Sequence, residues 1–417
     1  MAILDTAIDG PPAQEKRARR RKRDRRPVPR EFIRLRITDM AHRGYALGRY
    51  DGQVVFAAHG IPGEDVTVEI TQRRQDYLVG RVVEVHEASP ARVDAPCQYY
   101  GRCGGCQLQH IDYAEQLRLK THIVREQLRR FAHLSDTPVL PAVPCDPPWA
   151  YRNQTRFTVW HGALGFVGAQ THRFVRIDEC LIADPAINET LQQLQDRVPG
   201  ARQVMVRVGV NTGDRLLQPS LERFPDVTLP SGQRHLHESL LGADFRVSAS
   251  SFFQVNTRQA ETLVRLTIDA LDLQRSDVVL DAYAGVGTFA KIVAPQVCQV
   301  IAIEEAASAV DDAKVNLAGI ANVRIELGAV ENLLPTLGVT PDAAILDPPR
   351  TGCHRSTIEA IVGGGIERLV YVSCEPATLA RDIALLIEGG YELRSVQPVD
   401  MFPQTYHIEC VAGLRRV

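Results

Sequence analysis

The sequence predicts an α/β protein that ends in a doubly wound parallel sheet and begins with a small β-barrel, with a mixed α/β region between them. Beyond Gln259, helical and buried-strand patterns alternate, as they do in a parallel sheet covered by helices on both faces. From Glu31 to about Val93, short alternating segments are punctuated by glycines, which is typical of a small barrel. The region between them mixes strand-like runs with a helical pattern.

The barrel and the central region are assigned from the period of their apolar residues. The barrel strands are predicted at Phe32–Ile37, Val54–Phe56, Asp65–Ile70 and Leu78–Val85. A loop that carries cysteines follows at 97–106, and then a helix at Tyr113–Phe131. In the central region, strands are predicted at Thr155–Trp160, Gly165–Val167 and Gln203–Val210, with a helix at Pro185–Val198.

The C-terminal elements alternate along the chain. Helices are predicted at Ala260–Leu273, Phe289–Val293, Ala307–Leu317, Thr357–Val362 and Pro376–Ile387. Buried strands are predicted at Val278–Leu280, Gln299–Ile303, Val323–Leu327, Ala343–Leu346 and Arg368–Val372. We therefore divide the chain into a tail (1–30), a barrel (31–93), a central domain (94–247) and a C-terminal domain (248–417).

Composition restricts the partners of this chain. Its 417 residues, 45% of them hydrophobic, exceed what one core usually serves. The net charge of −2 conceals ten Lys/Arg against four Asp/Glu in residues 1–30. We expect this tail to be disordered and able to neutralise phosphates of a nucleic acid. No run reaches the ~18 apolar residues of a membrane span, so we expect a cytoplasmic protein with no membrane partner.

Three of the nine cysteines are close together in the sequence, at Cys97, Cys103 and Cys106. In a cytoplasmic chain such a group favours metal ligation over disulfides. The glycines between them allow the thiolates to converge, and three ligands require a fourth. Zinc and an iron–sulfur cluster both accept thiolates, and the spacing does not decide between them.

A glycine-rich loop at Asp281–Thr288 follows a predicted strand and precedes a predicted helix. This arrangement lets the backbone approach a ligand at the carboxyl end of a strand. Glu304 ends the next strand, where an acid can accept hydrogen bonds from ribose hydroxyls. The loop does not exclude NAD, but Asp347-Pro348-Pro349 at a later strand end resembles a motif of nucleobase methyltransferases.

A candidate nucleophile, Cys374, ends the strand-like run in Tyr371-Val372-Ser373-Cys374-Glu375-Pro376. The helix predicted after it places positive backbone dipoles nearby, which would favour a thiolate. Glu409 lies in the strand-like segment Tyr406–Val411, where we expect it to share a face with His407. A cysteine and an acid in these places suggest covalent catalysis with a general base.

Four motifs in this order, LDAYAGVGTF, LDPPRTG, YVSCEPATLARD and DMFPQTYHIE, resemble the RNA uracil-5-methyltransferase family that uses S-adenosylmethionine. Residues 31–90 resemble its TRAM domain, an OB-like barrel, and the resemblance extends from about residue 31 to the C-terminus. It implies a Rossmann-like methyltransferase domain. Two residues depart from the family pattern. Glu375 stands where Asn or Asp is expected, and Ala329 stands near the position at which a polar residue usually contacts the adenine.

The resemblance also implies roles for individual residues. Cys374 would be the nucleophile and Glu409 the general base. The contacts to S-adenosylmethionine or to the site would be made by Gln254, Tyr283, Gly285, Thr288, Glu304 and Asp347. The fourth metal ligand would be Cys180, with Cys145 as a weaker rival, and the metal a [4Fe–4S] cluster in preference to zinc.

The same resemblance leads us to expect a monomer that modifies RNA. A member with a cluster more often resembles the ribosomal RNA branch, so 23S rRNA is favoured and tRNA is the alternative. Two other classes of protein stay open on the sequence. One is a non-catalytic RNA-binding protein that uses the barrel and the tail, and the other is a nicotinamide oxidoreductase with an iron–sulfur centre.

Overall fold

The computed structural model describes residues 30–134, 138–168, 171 and 173–417. Apart from Arg30, the basic tail predicted at 1–30 lies outside these residues. In the part that is described, no helix combines the length and apolar character needed to cross a membrane. The predicted fold class is confirmed, because a closed barrel and a mainly parallel sheet are both present.

The barrel closes in the order β1-β2-β3-β5-β4. Its strands are β1 Glu31–Met40, β2 Tyr45–Tyr50, β3 Gln53–Ala58, β4 Asp65–Arg73 and β5 Tyr77–Glu87. The strand β2 was not predicted from the sequence, because Gly48 interrupts its alternation. A Cβ at Gly48 would lie 2.3 Å from Leu35 Cδ1, so the close approach of β1 and β2 requires glycine there. A short 3-10 turn, His42–Gly44, joins β1 to β2.

The central region contains a five-stranded sheet in the order β10-β9-β6-β7-β8, and a separate hairpin of β11 and β12. The strands are β6 Gln154–Trp160, β7 Ala163–Val167, β8 Phe174–Arg176, β9 Gln203–Val208, β10 Arg215–Gln218, β11 His235–Leu240 and β12 Ala243–Ser248. The helix α1, Tyr113–Phe131, precedes this sheet, and α2, Pro185–Leu194, packs on it. The domain boundaries stay predictions.

The C-terminal sheet has seven strands in the order β15-β14-β13-β16-β17-β19-β18. They are β13 Val278–Asp281, β14 Gln299–Glu304, β15 Val323–Leu327, β16 Ala343–Leu346, β17 Arg368–Ser373, β18 Tyr391–Val399 and β19 Glu409–Arg416. The helices are α3 Thr257–Leu271, α4 Thr288–Val293, α5 Ala307–Asn316, α6 Val330–Leu333, α7 Arg355–Gly364 and α8 Pro376–Glu388.

All pairs in this sheet are parallel except those of β19, which runs antiparallel to both β17 and β18. The first residue of β19 therefore lies at the same edge as the last residues of the parallel strands. The strand begins only at Glu409, so His407 belongs to the preceding loop. The expectation that these two residues share a strand face is wrong for this reason.

The loop at 400–408 is attached to α1 by a buried ion pair. Lys120 Nζ lies 2.6 Å from Asp400 Oδ1, and the two side chains are only 2% and 0% exposed. Lys120 also donates to the backbone oxygen of Phe402 (3.1 Å), and the Tyr113 hydroxyl donates to Asp400 (2.8 Å). The segment that leads into Glu409 is thereby held against a helix that lies nearly 300 residues away in sequence.

We predict that Lys120→Ala lowers the free energy of unfolding by ~3–5 kcal/mol, because Asp400 would keep a buried charge without its cation. Arg118→Ala is the matched control on the same helix. It removes a pair with Glu115 in which the arginine is 62% exposed, and such pairs contribute ~1 kcal/mol or less. Urea denaturation of both variants measures the difference, and equal losses would contradict the prediction.

Candidate active site

The glycine-rich loop has the backbone shape that its sequence predicts. Gly285 has φ +55° and Gly287 has φ +85°, the left-handed region that favours glycine. A Cβ at Gly287 would also lie 3.0 Å from Leu317 Cδ1. Glu304 Oε2 accepts a hydrogen bond from the Gly285 amide (2.8 Å) and Oε1 accepts one from Ala306 (2.7 Å). Glu304 thus holds the loop while each oxygen keeps a further lone pair.

Two aspartates lie at the ends of the neighbouring strands β13 and β16: the buried Asp281 ends β13, and the half-buried Asp347 follows β16. Asp281 Oδ2 accepts a hydrogen bond from Ala290 N (3.0 Å), whereas Oδ1 is buried with no partner among the described residues. Burial raises the pKa of Asp281 to about 7, and the Asp347 and Glu304 charges add to this. Burial also raises the pKa of Asp347 to about 7. The sequence analysis did not assign Asp281 to the site, although an acid at the end of an apolar strand is a usable signal.

Cys374 and Glu409 are brought together by the pairing of β17 with β19. Ser373, the residue before Cys374, is paired with Cys410, the residue after Glu409. Burial raises the pKa of Cys374 to about 12, and the Glu409 charge raises it further, while the Arg350 charge lowers it. Burial also raises the pKa of Glu409 well above its ordinary value.

The expectation of a thiol with a lowered pKa is therefore wrong for the protein alone. Burial acts first to raise this pKa, and the charges of Glu409, Asp347 and Glu375 act in the same direction. A cation at this edge of the sheet would act in the opposite direction.

Two other predicted cofactor contacts, Tyr283 and Thr288, lie in the glycine loop and at the start of the helix that follows it. Thr288 begins α4 directly after the glycine loop. The Tyr283 hydroxyl is within hydrogen-bond reach of Thr357 and Cys353, and burial raises its pKa. Gln254 lies between β12 and α3, and its backbone oxygen accepts a hydrogen bond from Asn153 Nδ2 (3.1 Å).

A cavity of about 350 Å³ lies beside the loop at 400–408. The four cysteines predicted as ligands all line it: Cys97, Cys103, Cys106 and Cys180. Thr405 and His407 form another part of its wall. Cys145 does not line the cavity; its Sγ accepts a hydrogen bond from Asn256 Nδ2 (3.3 Å). In the described ranges, no group of three or more His, Cys, Asp or Glu side chains, these cysteines included, is arranged to hold a metal ion.

Comparison with known proteins agrees with this geometry at both ends of the chain. Residues 29–83 match the TRAM domain, and residues 235–337 and 339–417 match the tRNA (uracil-5-)-methyltransferase family. A solved structure of similar fold is the tRNA (uracil-54, C5)-methyltransferase of Pyrococcus abyssi in complex with S-adenosyl-L-homocysteine. It has a TM-score of 0.72 and 24% identity, over 91% of this chain and 99% of that one.

Relatives of similar length support the same assignment. An uncharacterised RNA methyltransferase of Halalkalibacterium halodurans is 34% identical over 92% of this chain and 97% of its own length. Another, of Gloeobacter violaceus, is 35% identical over 93% of this chain and 97% of its own length. The family match and the relatives agree with each other and with the arrangement of the site. This chain therefore belongs to the tRNA (uracil-5-)-methyltransferase family of S-adenosylmethionine-dependent RNA methyltransferases.

Proposed function

We propose that this protein methylates C5 of a specific uridine, in 23S rRNA, through a covalent adduct between Cys374 and C6 of uracil. The observation that carries the proposal is the pairing of β17 with β19, which brings the half-buried thiol of Cys374 and the buried carboxyl of Glu409 to the sheet edge where the glycine loop lies. The target base must leave its stack to reach this edge, and a loop or single strand costs less to open than a duplex.

The acids around the glycine loop suit a cationic cofactor. S-adenosylmethionine, when bound, supplies an electrophilic methyl group and a positive charge. Asp281 Oδ1, which has no partner within the described chain, would accept a hydrogen bond from it. Glu304, on the strand next to β13, would accept hydrogen bonds from the ribose hydroxyls. The remaining contacts would come from Gln254, Tyr283, Gly285, Thr288 and Asp347.

The chemistry explains the pairing of thiol and carboxyl. Uracil C5 is a poor nucleophile, but addition of the Cys374 thiolate to C6 gives an enolate with carbanion character at C5. After C5 has taken the methyl group, Glu409 removes the C5 proton. The electrons of the C5–H bond then form the C5–C6 double bond, and the Cys374 thiolate leaves.

The RNA target rests on the cysteine cavity and on the resemblance to the ribosomal RNA branch. Transfer RNA is the alternative target, since the family name and the relative from Pyrococcus abyssi both refer to tRNA. A binding role without catalysis would not need Cys374 and Glu409 at one sheet edge. The protein would act as a cytoplasmic monomer, and the tail at 1–30 would add phosphate contacts that do not depend on sequence.

We further propose that Cys97, Cys103, Cys106 and Cys180 hold a [4Fe–4S] cluster. The thiolates of a tetrahedral zinc site lie only ~3.8 Å apart, given Zn–S bonds of ~2.3 Å. A cluster carries each thiolate on a different iron, and so needs a wider arrangement. A cavity of about 350 Å³ lined by the four thiols offers room for this wider arrangement. We assign it a structural role between the barrel and the central domain.

The proposed activity is tested by mapping 5-methyluridine in rRNA and tRNA from a strain that lacks the gene. Complementation with the wild type should restore one or more sites in 23S rRNA, whereas Cys374→Ala should restore none. Cys298→Ala, which changes an exposed cysteine on the same domain, should behave as the wild type. A Cys374→Ala protein that restores methylation would refute the covalent mechanism, and restored sites in tRNA alone would refute the ribosomal target.

We predict that Glu409→Gln traps the covalent adduct. The thiol can still add and C5 can still be methylated, but no carboxylate is present to take the C5 proton. The variant should form a protein–RNA species that survives a denaturing gel and contains the labelled methyl group. Normal product release without any adduct would remove Glu409 from this role.

Anaerobically purified protein should be brown, with roughly four iron and four sulfide per chain. Cys180→Ala should lose most of the iron. Cys145→Ala is the control, because its buried thiol lies outside the cavity and should leave the iron content unchanged. One zinc per chain and no sulfide would contradict the cluster.

A further inference from the structure

A histidine of the barrel lies where three parts of the active site meet. His42 belongs to the 3-10 turn between β1 and β2, and its Nδ1 lies 3.1 Å from Glu375 Oε1, on the residue after Cys374. Its ring packs edge-on against Tyr406, with ring centroids 5.9 Å apart, on the loop before Glu409. The positive charge of Arg350, which follows Asp347-Pro348-Pro349, also lowers the pKa of His42.

The turn is shaped for this close approach. Gly44 has φ +74°, and a Cβ there would lie 3.3 Å from Cβ of both Gln107 and Tyr406. Glycine at this place lets the barrel backbone pack directly on the loop at 400–408. His42 is thereby placed beside the site by the backbone of its own turn.

One ring nitrogen of His42 has no partner. Its side chain is only 10% exposed, and Nε2 is buried without a hydrogen bond to any described residue. Buried polar atoms of native proteins are nearly always partnered, and an exception needs an explanation. Nε2 is closed off in the protein alone, so a substrate can supply the partner only if a neighbouring side chain such as Tyr406, which packs on the ring, moves when the substrate enters.

The chemistry of the missing partner follows from the other nitrogen. The carboxylate of Glu375 can only accept, so Nδ1 must carry the proton. Burial, with the charges of Arg43 and Arg350, lowers the pKa of His42 to about 4. The Glu375 carboxylate, 3.1 Å from Nδ1, acts in the opposite direction, and we take the ring to be neutral near pH 7 because burial is the largest effect. Nε2 is then an acceptor, and its partner must be a hydrogen-bond donor.

We propose that His42 accepts a hydrogen bond at Nε2 from the target nucleotide, so that the barrel contributes a substrate-binding residue to the active site. This inference rests on the proposed function. A uridine in RNA offers two such donors, N3–H of the base and the 2′-hydroxyl of the ribose. Cytosine lacks the first and DNA lacks the second, so either contact would contribute to specificity.

The contrary interpretation is that His42 only tethers the barrel to Glu375. His42→Asn separates the two roles, because the asparagine amide can replace Nδ1 as the donor to Glu375 but has no atom at the place of Nε2. His86→Ala is the matched control: this barrel histidine is hydrogen bonded to Thr67 on the neighbouring strand. Thermal unfolding of each variant shows whether the barrel remains intact.

The test measures RNA affinity in the full-length Cys374→Ala background, so that chemistry does not interfere. The probe is an RNA fragment carrying the mapped uridine, made with uridine, 2′-deoxyuridine or 3-deazauridine at that position. In the parent, removing the contacted donor should weaken binding by about 5- to 20-fold. The His42→Asn variant should bind the uridine fragment more weakly than the parent does, by a similar factor. In this variant, removing the same donor from the RNA should lower the affinity further by less than about 2-fold.

Each outcome decides the proposal. If His42→Asn no longer distinguishes uridine from 2′-deoxyuridine, the 2′-hydroxyl is the partner. If it no longer distinguishes uridine from 3-deazauridine, the partner is N3–H. The His86→Ala control should distinguish these RNAs as the parent does. His42→Asn with the parent's discrimination, or a parent indifferent to both substitutions, would overturn the proposal and leave His42 as a tether. A wild-type protein that forms no 5-methyluridine in the mapping experiment would instead overturn the proposed function, and the two failures are read from separate measurements.

Discussion

The buried ion pair between Lys120 and Asp400 anchors the segment on which the architecture around the site depends. The loop at 400–408 receives hydrogen bonds from several parts of the chain. The amides of Gln107 and Leu108 both donate to the backbone oxygen of Gln404 at 3.0 Å. The Tyr151 hydroxyl donates to Pro403 O at 3.0 Å, and Asn256 Nδ2 donates to Met401 O at 3.1 Å. The cysteine loop, the central domain and the C-terminal domain thus share one anchor, which ends directly before Glu409.

The charge balance at the sheet edge is unusual for a protein interior. Asp281, Asp347 and Glu409 are acids whose pKa values are raised, in each case mainly by burial. Acids arranged in this way are costly to stability and are concentrated at functional sites. A cationic ligand would offset this cost and would also lower the pKa of Cys374. The same arrangement therefore suits both the binding of a sulfonium cofactor and the activation of the nucleophile.

The barrel is more than a module attached for RNA affinity. Its turn at His42–Gly44 contacts the residue after Cys374 and the loop before Glu409. Glu375 departs from the Asn or Asp expected in the family, and its longer side chain reaches His42. Glu375, next to Cys374, is thereby connected to the barrel, which links the N-terminal domain to the candidate active site.

Local signals in the sequence determined much of this protein. Period-two and helical patterns predicted most of the barrel strands and the alternating C-terminal elements, because these patterns reflect which faces are buried. Cys374, Glu304 and Asp347 were identified by their places at strand ends, and α1 at Tyr113–Phe131 agrees residue for residue with its prediction.

Contacts between distant segments were decided only by the tertiary structure. The antiparallel course of β19 sets Glu409 beside Cys374, and no local pattern encodes that pairing. The raised pKa of Cys374 comes from burial and from acids on other strands, which the dipole argument for its own helix could not include. The contact of His42 with Glu375 joins residues more than 300 positions apart. Local sequence specifies which elements form, whereas the packing between them decides which side chains meet and in what electrostatic environment.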